Sequence, residues 1–360
     1  MTNPYEVWNT RKSLGVMRDI KPAFTYWTDL GFSNQMTSTD EWIDFEKLPV
    51  QQRVLAPFVK PLGTGKSVYY DQAKGFRFKP AYVKTKDVID PLMPLVKRAG
   101  IDASMIAPPT MTAMQRLDMI RAAMTVSHVN AHERRWEWMA ARAIIDGKVT
   151  IAGEEYPAVE LDFRRDANLT VVKTANYWGA VGVSIFDDIQ SYCDTMFNAE
   201  FGVFPTRLTV GSSVWAVMRK DAEFMKHMDQ FTREPRATIE RGLIGSDKVL
   251  KVGELNVGGS SGAVIDIFLY RDTYVDLDTK VVTPFMSAKD IVLTGSADGI
   301  QGYQCFGAII DRFANYQAMP IFPRNWVEEG DPSYEVLLHQ SAPLMVPVNP
   351  NATMKATVLA

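Results

Sequence analysis

Cysteine is almost missing from this 360-residue chain; Cys193 and Cys305 are the only two. Two cysteines cannot staple a chain of this length, so stability must come from packing rather than disulfides. Histidine is nearly as scarce, with four copies, which leaves little stock for a metal site. An excess of one charge is lacking too: 39 basic residues stand against 42 acidic ones, a net charge of −3. Proteins whose work is gripping nucleic acid usually carry a basic excess. No uncharged apolar run reaches the ~18 residues of a membrane-spanning helix. The first 20 residues hold Glu6, Arg11, Lys12, Arg18 and Asp19 without an apolar core, so they do not read as a secretory signal. What is present, 46% hydrophobic and 22% charged residues, is the composition of a globular protein. At about 150 residues per domain the length predicts two to three domains. The expectation is a soluble protein made in a reducing cytoplasm.

The first ~50 residues mix Trp8, Trp27 and Trp42 with polar residues and show little periodicity. Exposed aromatics cost free energy, so this stretch reads as an arm whose apolar partner lies elsewhere, for example on another subunit. Residues 53–90 read as a two-stranded excursion with turns at Gly63-Thr64-Gly65 and Lys74-Gly75. It is rich in lysine and arginine, and an isolated hairpin is marginal in water. Prolines at 91, 94, 108 and 109 prevent one helix over 91–109. A long helix is then expected over about 111–146. Thr110 or Thr112 would cap it, with Gln115 as capping-box partner of Thr112, and Gly147 would end it. At 1.5 Å per residue it would span roughly 50 Å. Leu117, Ile120, Met124 and Trp138 follow helical spacing and are its expected core face.

A hairpin is expected over 148–163, extended by 168–173. Helices are expected over 187–201 and 212–228, and strands over 207–210, 263–270, 274–277, 280–284 and 290–294. Residues 320–360 hold six prolines, at 320, 323, 332, 343, 347 and 350. Such a density confines strands to edges or short pieces. The fold class is α+β.

Several motifs invite a catalytic reading, and each lacks its context. Gly63-Thr64-Gly65-Lys66-Ser67 ends like a phosphate-binding loop. Lys60 stands where the first glycine belongs, and β-prone Val68-Tyr69-Tyr70 follows where a helix should begin. His128 and His132 share a helix face, but Val129 holds the place of the zincin glutamate, and His227 and His339 are far off in sequence. A polar helix face is the simpler reading. Gly253 and the run Gly258-Gly259-Ser260-Ser261-Gly262 precede a strand rather than a helix, which fits a loop and not a dinucleotide site. Both cysteines lie in apolar surroundings and read as structural thiols. No catalytic residue, metal or cofactor is expected.

Three segments carry a family resemblance. One runs Phe322-Pro323-Arg324-Asn325-Trp326-Val327, Gly330-Asp331-Pro332 and Gln340-Ser341-Ala342-Pro343-Leu344-Met345. The others are Phe78-Lys79-Pro80-Ala81-Tyr82-Val83-Lys84 and Tyr156-Pro157-Ala158-Val159-Glu160-Leu161-Asp162. Together they resemble the lambda-like major capsid proteins of tailed bacteriophages. Asn325, Trp326, Gly330, Asp331 and Pro332 mark the C-terminal family motif. The resemblance implies the HK97-like fold. Residues 1–52 would be an N-terminal arm, 53–90 the E-loop hairpin, and 91–185 a P-domain with its spine helix. Residues 186–319 would be an A-domain, 320–343 a return through the P-domain, and 344–360 a terminal strand of unassigned domain.

What the resemblance implies for function is a head shell of hexamers and pentamers of this chain. Its partners would be a scaffolding protein, a portal, a decoration protein and enclosed double-stranded DNA read without sequence preference. No membrane would be involved. Lys66, Tyr69, Tyr70, Arg77 and Lys79 are the loop's candidates for contacts between subunits. Lys66 at a hairpin tip also invites the Lys–Asn crosslink of some relatives, but no matching Asn and acid stand out. The competing readings are an encapsulin-like cellular compartment and a nucleotide hydrolase using Lys66.

Overall fold

The computed structural model describes residues 8, 10–20, 24–40, 42–47, 74–95, 112–153, 156–229, 248–257, 263–276 and 280–360. Helices α1 (Thr10–Asp19) and α2 (Trp27–Gly31) come first, followed by strands β1 (Asn34–Thr37), β2 (Ile43–Lys47), β3 (Lys74–Phe78) and β4 (Val83–Ile89). Next is the long helix α3 (Ala113–Ile145), then β5 (Lys148–Gly153), β6 (Tyr156–Asp162) and β7 (Thr170–Val172). After these come α4 (Ile185–Asn198), β8 (Arg207–Val210), α5 (Ser212–Met218), α6 (Ala222–His227) and β9 (Met228–Asp229). Strands β10 (Val249–Asn256), β11 (Val264–Tyr270), β12 (Thr273–Val275), β13 (Val282–Pro284) and β14 (Asp290–Thr294) lead to α7 (Ala297–Ile300). Last are β15 (Gly302–Phe306), β16 (Phe322–Glu328), β17 (Tyr334–Ser341), β18 (Pro343–Pro347) and β19 (Thr353–Thr357).

Local chemistry explains the ends of α3. The Thr112 hydroxyl accepts from the Gln115 amide at 3.3 Å, and the Gln115 side chain accepts from the Thr112 amide at 2.9 Å, a reciprocal capping box. At the other end Gly147 takes φ +68°, the left-handed position where glycine carries no Cβ penalty. Helix α3 then hands over to the β5–β6 hairpin.

A seven-stranded mixed sheet, in the order β7-β19-β14-β8-β11-β10-β9, forms a wall between two cores. Period-two alternation sends Ile265, Ile267 and Leu269 of β11 to one side, under α4, α5 and α6, and Phe268 and Tyr270 to the other. On that second side lie the C-terminal half of α3, α2 and β18. There Ala140, Ala141 and Ala143 leave room for close packing beside Met139, Ile144 and Ile145. Gly302 is needed where β15 passes α2, since a Cβ there would sit 2.2 Å from the Gly31 carbonyl oxygen. A three-stranded sheet, β16-β17-β4, lies along the N-terminal half of α3. Proline does keep to edges: Pro323 is in edge strand β16, and Pro343 and Pro347 bound edge strand β18.

Several expectations need correction. In the described part of the 53–90 segment, residues 74–90, the strands do not pair with each other. β3 pairs with β2, from the arm, and β4 pairs with β17, some 250 residues away in register partners such as Thr85 and His339. Residues 168–173 do not extend the 148–163 hairpin, because β7 runs parallel to the terminal strand β19. The expected 212–228 helix is two helices, because Asp221 breaks it by capping α6 through the Glu223 and Phe224 amides. The first helix, α5, follows Gly211 as its N-cap, with no side-chain capping bond. The arm's tryptophans are not all waiting for a neighbour. Trp8 and Trp27 are buried by their own chain, and only Trp42 is exposed.

Candidate subunit-contact surface and the seam beneath it

Strands β2 and β3 form the base of the segment singled out for contacts between subunits. Its tip, with Lys66, Tyr69 and Tyr70 and the Gly63–Ser67 motif, lies outside the described residues. At the base, Ile43 is buried, and Phe78 packs edge-on to Phe163 with centroids 5.4 Å apart. Alternation then leaves Arg77 exposed beside Phe78, with Lys79 exposed beyond it. The base is therefore fixed to the subunit while its polar side faces outward.

Two more surfaces carry apolar side chains that the chain itself leaves in water. Ile310, Phe313 and Tyr316 lie within one seven-residue loop and are 71%, 70% and 56% exposed. Only the Arg324 guanidinium covers part of Phe313, at 4.3 Å from the ring. The β12–β13 hairpin presents Val275, Val281 and Val282 in the same way. Clustered exposed apolar groups of this kind mark contact sites. The C-terminal motif sits nearby on β16 and its turn. Asn325 donates to the Ser13 hydroxyl at 3.1 Å and so ties β16 to α1. Trp326 is partly buried between Arg324 and Lys86, whose charges sit 5.2 and 5.9 Å from its ring. Gly330, Asp331 and Pro332 are exposed in the turn to β17.

Beneath these surfaces runs a polar seam along α3. Leu117, Ile120, Met124 and Trp138 are all partly exposed, so they are not the buried face expected from their spacing. From Arg121 to His132 the buried positions are Arg121, Thr125, His128, Val129 and His132, and Val129 is the one apolar side chain among them. They too recur at helical spacing, but as a polar stripe. The facing side of the sheet carries Glu335 and His339 of β17 and Thr85 and Asp87 of β4, interspersed with Leu337 and Ile89, and these polar partners decide which stripe is covered. Arg121 clasps Glu335 with Nε–Oε1 at 2.9 Å and Nη2–Oε2 at 2.6 Å. His128 meets His339 ring to ring, Nδ1 to Nδ1 at 2.8 Å, and Asp87 through Nε2 at 3.0 Å. His132 Nε2 meets the Thr85 hydroxyl at 3.2 Å.

Farther along α3, Glu137 is buried and accepts from the amides of Tyr26, Trp27 and Thr28 at 2.8, 2.7 and 3.0 Å. The Thr28 hydroxyl adds a fourth bond at 2.7 Å. One carboxylate thus satisfies the open amides at the start of α2. Burial raises the Glu137 carboxyl, against the pull of these donors. Arg134 holds Asp272 bidentately at 2.6 and 3.0 Å. Burial would raise the Asp272 carboxyl, but Arg134 and Lys248 outweigh it and hold it below the usual range. The long helix is therefore tied in turn to the three-stranded sheet, the arm and the wall sheet.

Little of this is suited to covalent chemistry. Burial pushes the thiols of Cys193 and Cys305 up to about 12, which leaves them protonated and inert. Among the described residues, no three of His, Cys, Asp and Glu are arranged to hold a metal ion. An open groove of about 800 Å³ between α4 and the edge of the wall sheet is lined by Asp166, Asp187 and Asp194 together with Ser191, Tyr192 and Thr195. The glycine run before β11 joins two antiparallel strands and opens no helix. No described helix is long and apolar enough to cross a membrane.

Comparison with known proteins places these features. The family model described as phage major capsid protein E matches residues 10–358. The major capsid protein of Escherichia phage lambda is 27% identical over 308 residues, covering 82% of this chain and 83% of that protein. That of Enterobacteria phage phi80 is 27% identical over 313 residues, covering 83% and 84%. A prophage-derived major head protein of Escherichia coli O6:H1 strain CFT073 is 25% identical over 364 residues, covering 96% and 97%. In fold, the chain is similar to a prophage capsid protein structure from E. coli CFT073, with TM-score 0.69, 22% identity and coverage of 98% and 99%. It is also similar to a phage-related protein from Bordetella bronchiseptica RB50, with TM-score 0.51, 9% identity and coverage of 96% and 94%.

Proposed function

The chain belongs to the phage major capsid protein E family, and from that premise we propose how its surfaces build a shell. It is a capsid subunit of a tailed-phage head with the HK97-like fold. The observation that carries this reading is the extent of the family match, from α1 to the terminal strand β19. The proposed division follows the two cores. Helix α3, the β5–β6 hairpin and the β16-β17-β4 sheet form the P-domain, and the wall sheet with α4, α5 and α6 forms the A-domain. β19 lies inside the wall sheet, which favours giving the terminal strand to the A-domain.

Copies of the chain meet through the segment between β2 and β4, with Lys66, Tyr69, Tyr70, Arg77 and Lys79 as contacts, and through the two exposed apolar patches. The C-terminal motif residues Asn325, Trp326, Gly330, Asp331 and Pro332 shape the P-domain edge. Many modest contacts gain strength when a shell closes, because each further contact is intramolecular. The near balance of charge suits a wall that encloses DNA, since a strongly basic one would bind phosphate nonspecifically. Scaffolding, portal and decoration proteins complete the assembly, which takes place in the host cytoplasm and yields the virion capsid. The chain acts without catalysis or cofactor. Sedimentation of the full chain, expressed with its phage's scaffolding function, tests the reading. Fast-sedimenting closed particles containing the chain are expected, and a monodisperse monomer as the sole species would overturn it.

A further inference from the structure

Three of the four histidines meet where α3 lies on the β16-β17-β4 sheet. His128, His132 and His339 are 5%, 0% and 1% exposed. They come from two elements that are 211 residues apart at the His128–His339 contact.

Hydrogen-bond roles constrain their protons. An ionised carboxylate accepts and does not donate, so His128 Nε2 carries a hydrogen toward Asp87. A neutral His128 then presents a lone pair at Nδ1, and His339 must donate to it from its own Nδ1. That leaves His339 Nε2 as a buried lone pair, and it has no partner. His132 Nδ1 is likewise buried without a well-formed hydrogen bond, and the nearby His339 backbone offsets only part of the cost of charging that ring. The two facing Nδ1 atoms hold one proton between them. Charging both rings would set two N–H donors head to head at 2.8 Å and leave a buried N–H on His339 with no acceptor.

The surroundings offer little relief. On α3 the neighbours are Arg121, Thr125 and Glu133; on β17 the charged residue on the same face is Glu335; on β4 they are Thr85 and Asp87. Glu335 is taken by Arg121. Pro323 of β16 is the register partner of His339 and brings no charge. Asp87 is the carboxylate within hydrogen-bond reach of a ring, and it meets His128 alone among the three.

We propose that His128, His132 and His339 form a proton-operated latch: with neutral rings they clasp β4 and β17 to α3, and protonation releases that sheet from the helix. Burial lowers His132 to about 4 and His339 to about 3, with the nearby His128 ring adding to both. The ordinary imidazole value is about 6.5. Both folded values are depressed, so the opened form binds more protons below pH ~6.5. The latch is therefore intact above that pH and weakens as pH falls toward 4 and then 3.

The test is hydrogen exchange of the full-length chain between pH 7.5 and 4.5, corrected for intrinsic rates. Each imidazole that gains its proton only on opening raises the opening constant by about tenfold per pH unit. Two such rings give up to about a hundredfold per pH unit below pH ~6.5 for peptides covering 83–89 and 334–341. Peptides covering 290–294, in the wall sheet, are expected to change less. The double variant His132→Gln, His339→Gln cannot titrate at these positions and is expected to lose most of that slope. An unchanged slope in the variant, or equal pH dependence of both sheets in the wild type, would overturn the latch. Imidazole NMR of the wild type decides even if the variant does not fold. Two rings that stay neutral down to pH 5 support the latch, and three rings titrating near 6.5 would reject it.

Discussion

Trp27 is wholly enclosed, with Tyr26 and Tyr270 rings 5.1 and 5.3 Å from it. Trp138 keeps part of its surface in solvent under the Arg135 guanidinium, 5.2 Å from the ring. Truncating a core aromatic costs about 3–5 kcal/mol. Trp27→Ala is expected to lose that much in urea unfolding of the subunit, and Trp138→Ala clearly less. Equal losses would mean that Trp138 is as deeply anchored as Trp27. The difference was not visible from spacing, because periodicity reports which residues share a face and not which face is covered. Trp27 sits in a five-residue helix with too little length for any period, and its cover comes from β11, far along the chain.

At the scale of elements, α3 illustrates what local sequence can and cannot reveal. Its limits were legible because Thr112, Gln115 and Gly147 act within one turn of the helix ends. Its buried stripe was not, since Arg121, Thr125, His128 and His132 look like a solvated face until Glu335 and His339 arrive from β17. The same reason hides the pairing of β3 with β2 and of β4 with β17: strand partners are nonlocal. The Arg121–Glu335 pair has a consequence for stability. Breaking a buried ion pair from one side leaves an uncompensated charge and costs about 3–5 kcal/mol, whereas replacing both partners by apolar groups is often neutral. Arg121→Ala is expected to lower the unfolding free energy by that amount. Arg121→Met with Glu335→Leu is expected to restore most of it. A double variant as unstable as the single one would show that the pair contributes more than mutual neutralisation.

At the scale of the whole molecule, the chain covers Trp8 and Trp27 with its own surface but leaves Ile310, Phe313, Tyr316 and the β12–β13 valines in water. A subunit of a closed lattice has this character, with a complete internal core and apolar groups reserved for neighbours. The general fold was legible in the C-terminal motif and in the order of elements. The proposed contact surfaces were less so, because exposure depends on tertiary cover. The most direct measurement of the central claim is a cryo-electron microscopy reconstruction of particles formed by the full chain. The account predicts closed icosahedral shells in which the segment between β2 and β3 lies against an adjacent subunit and the 310–316 loop is covered at a contact between copies. Particles that never close, or a shell in which both surfaces face only solvent, would contradict it.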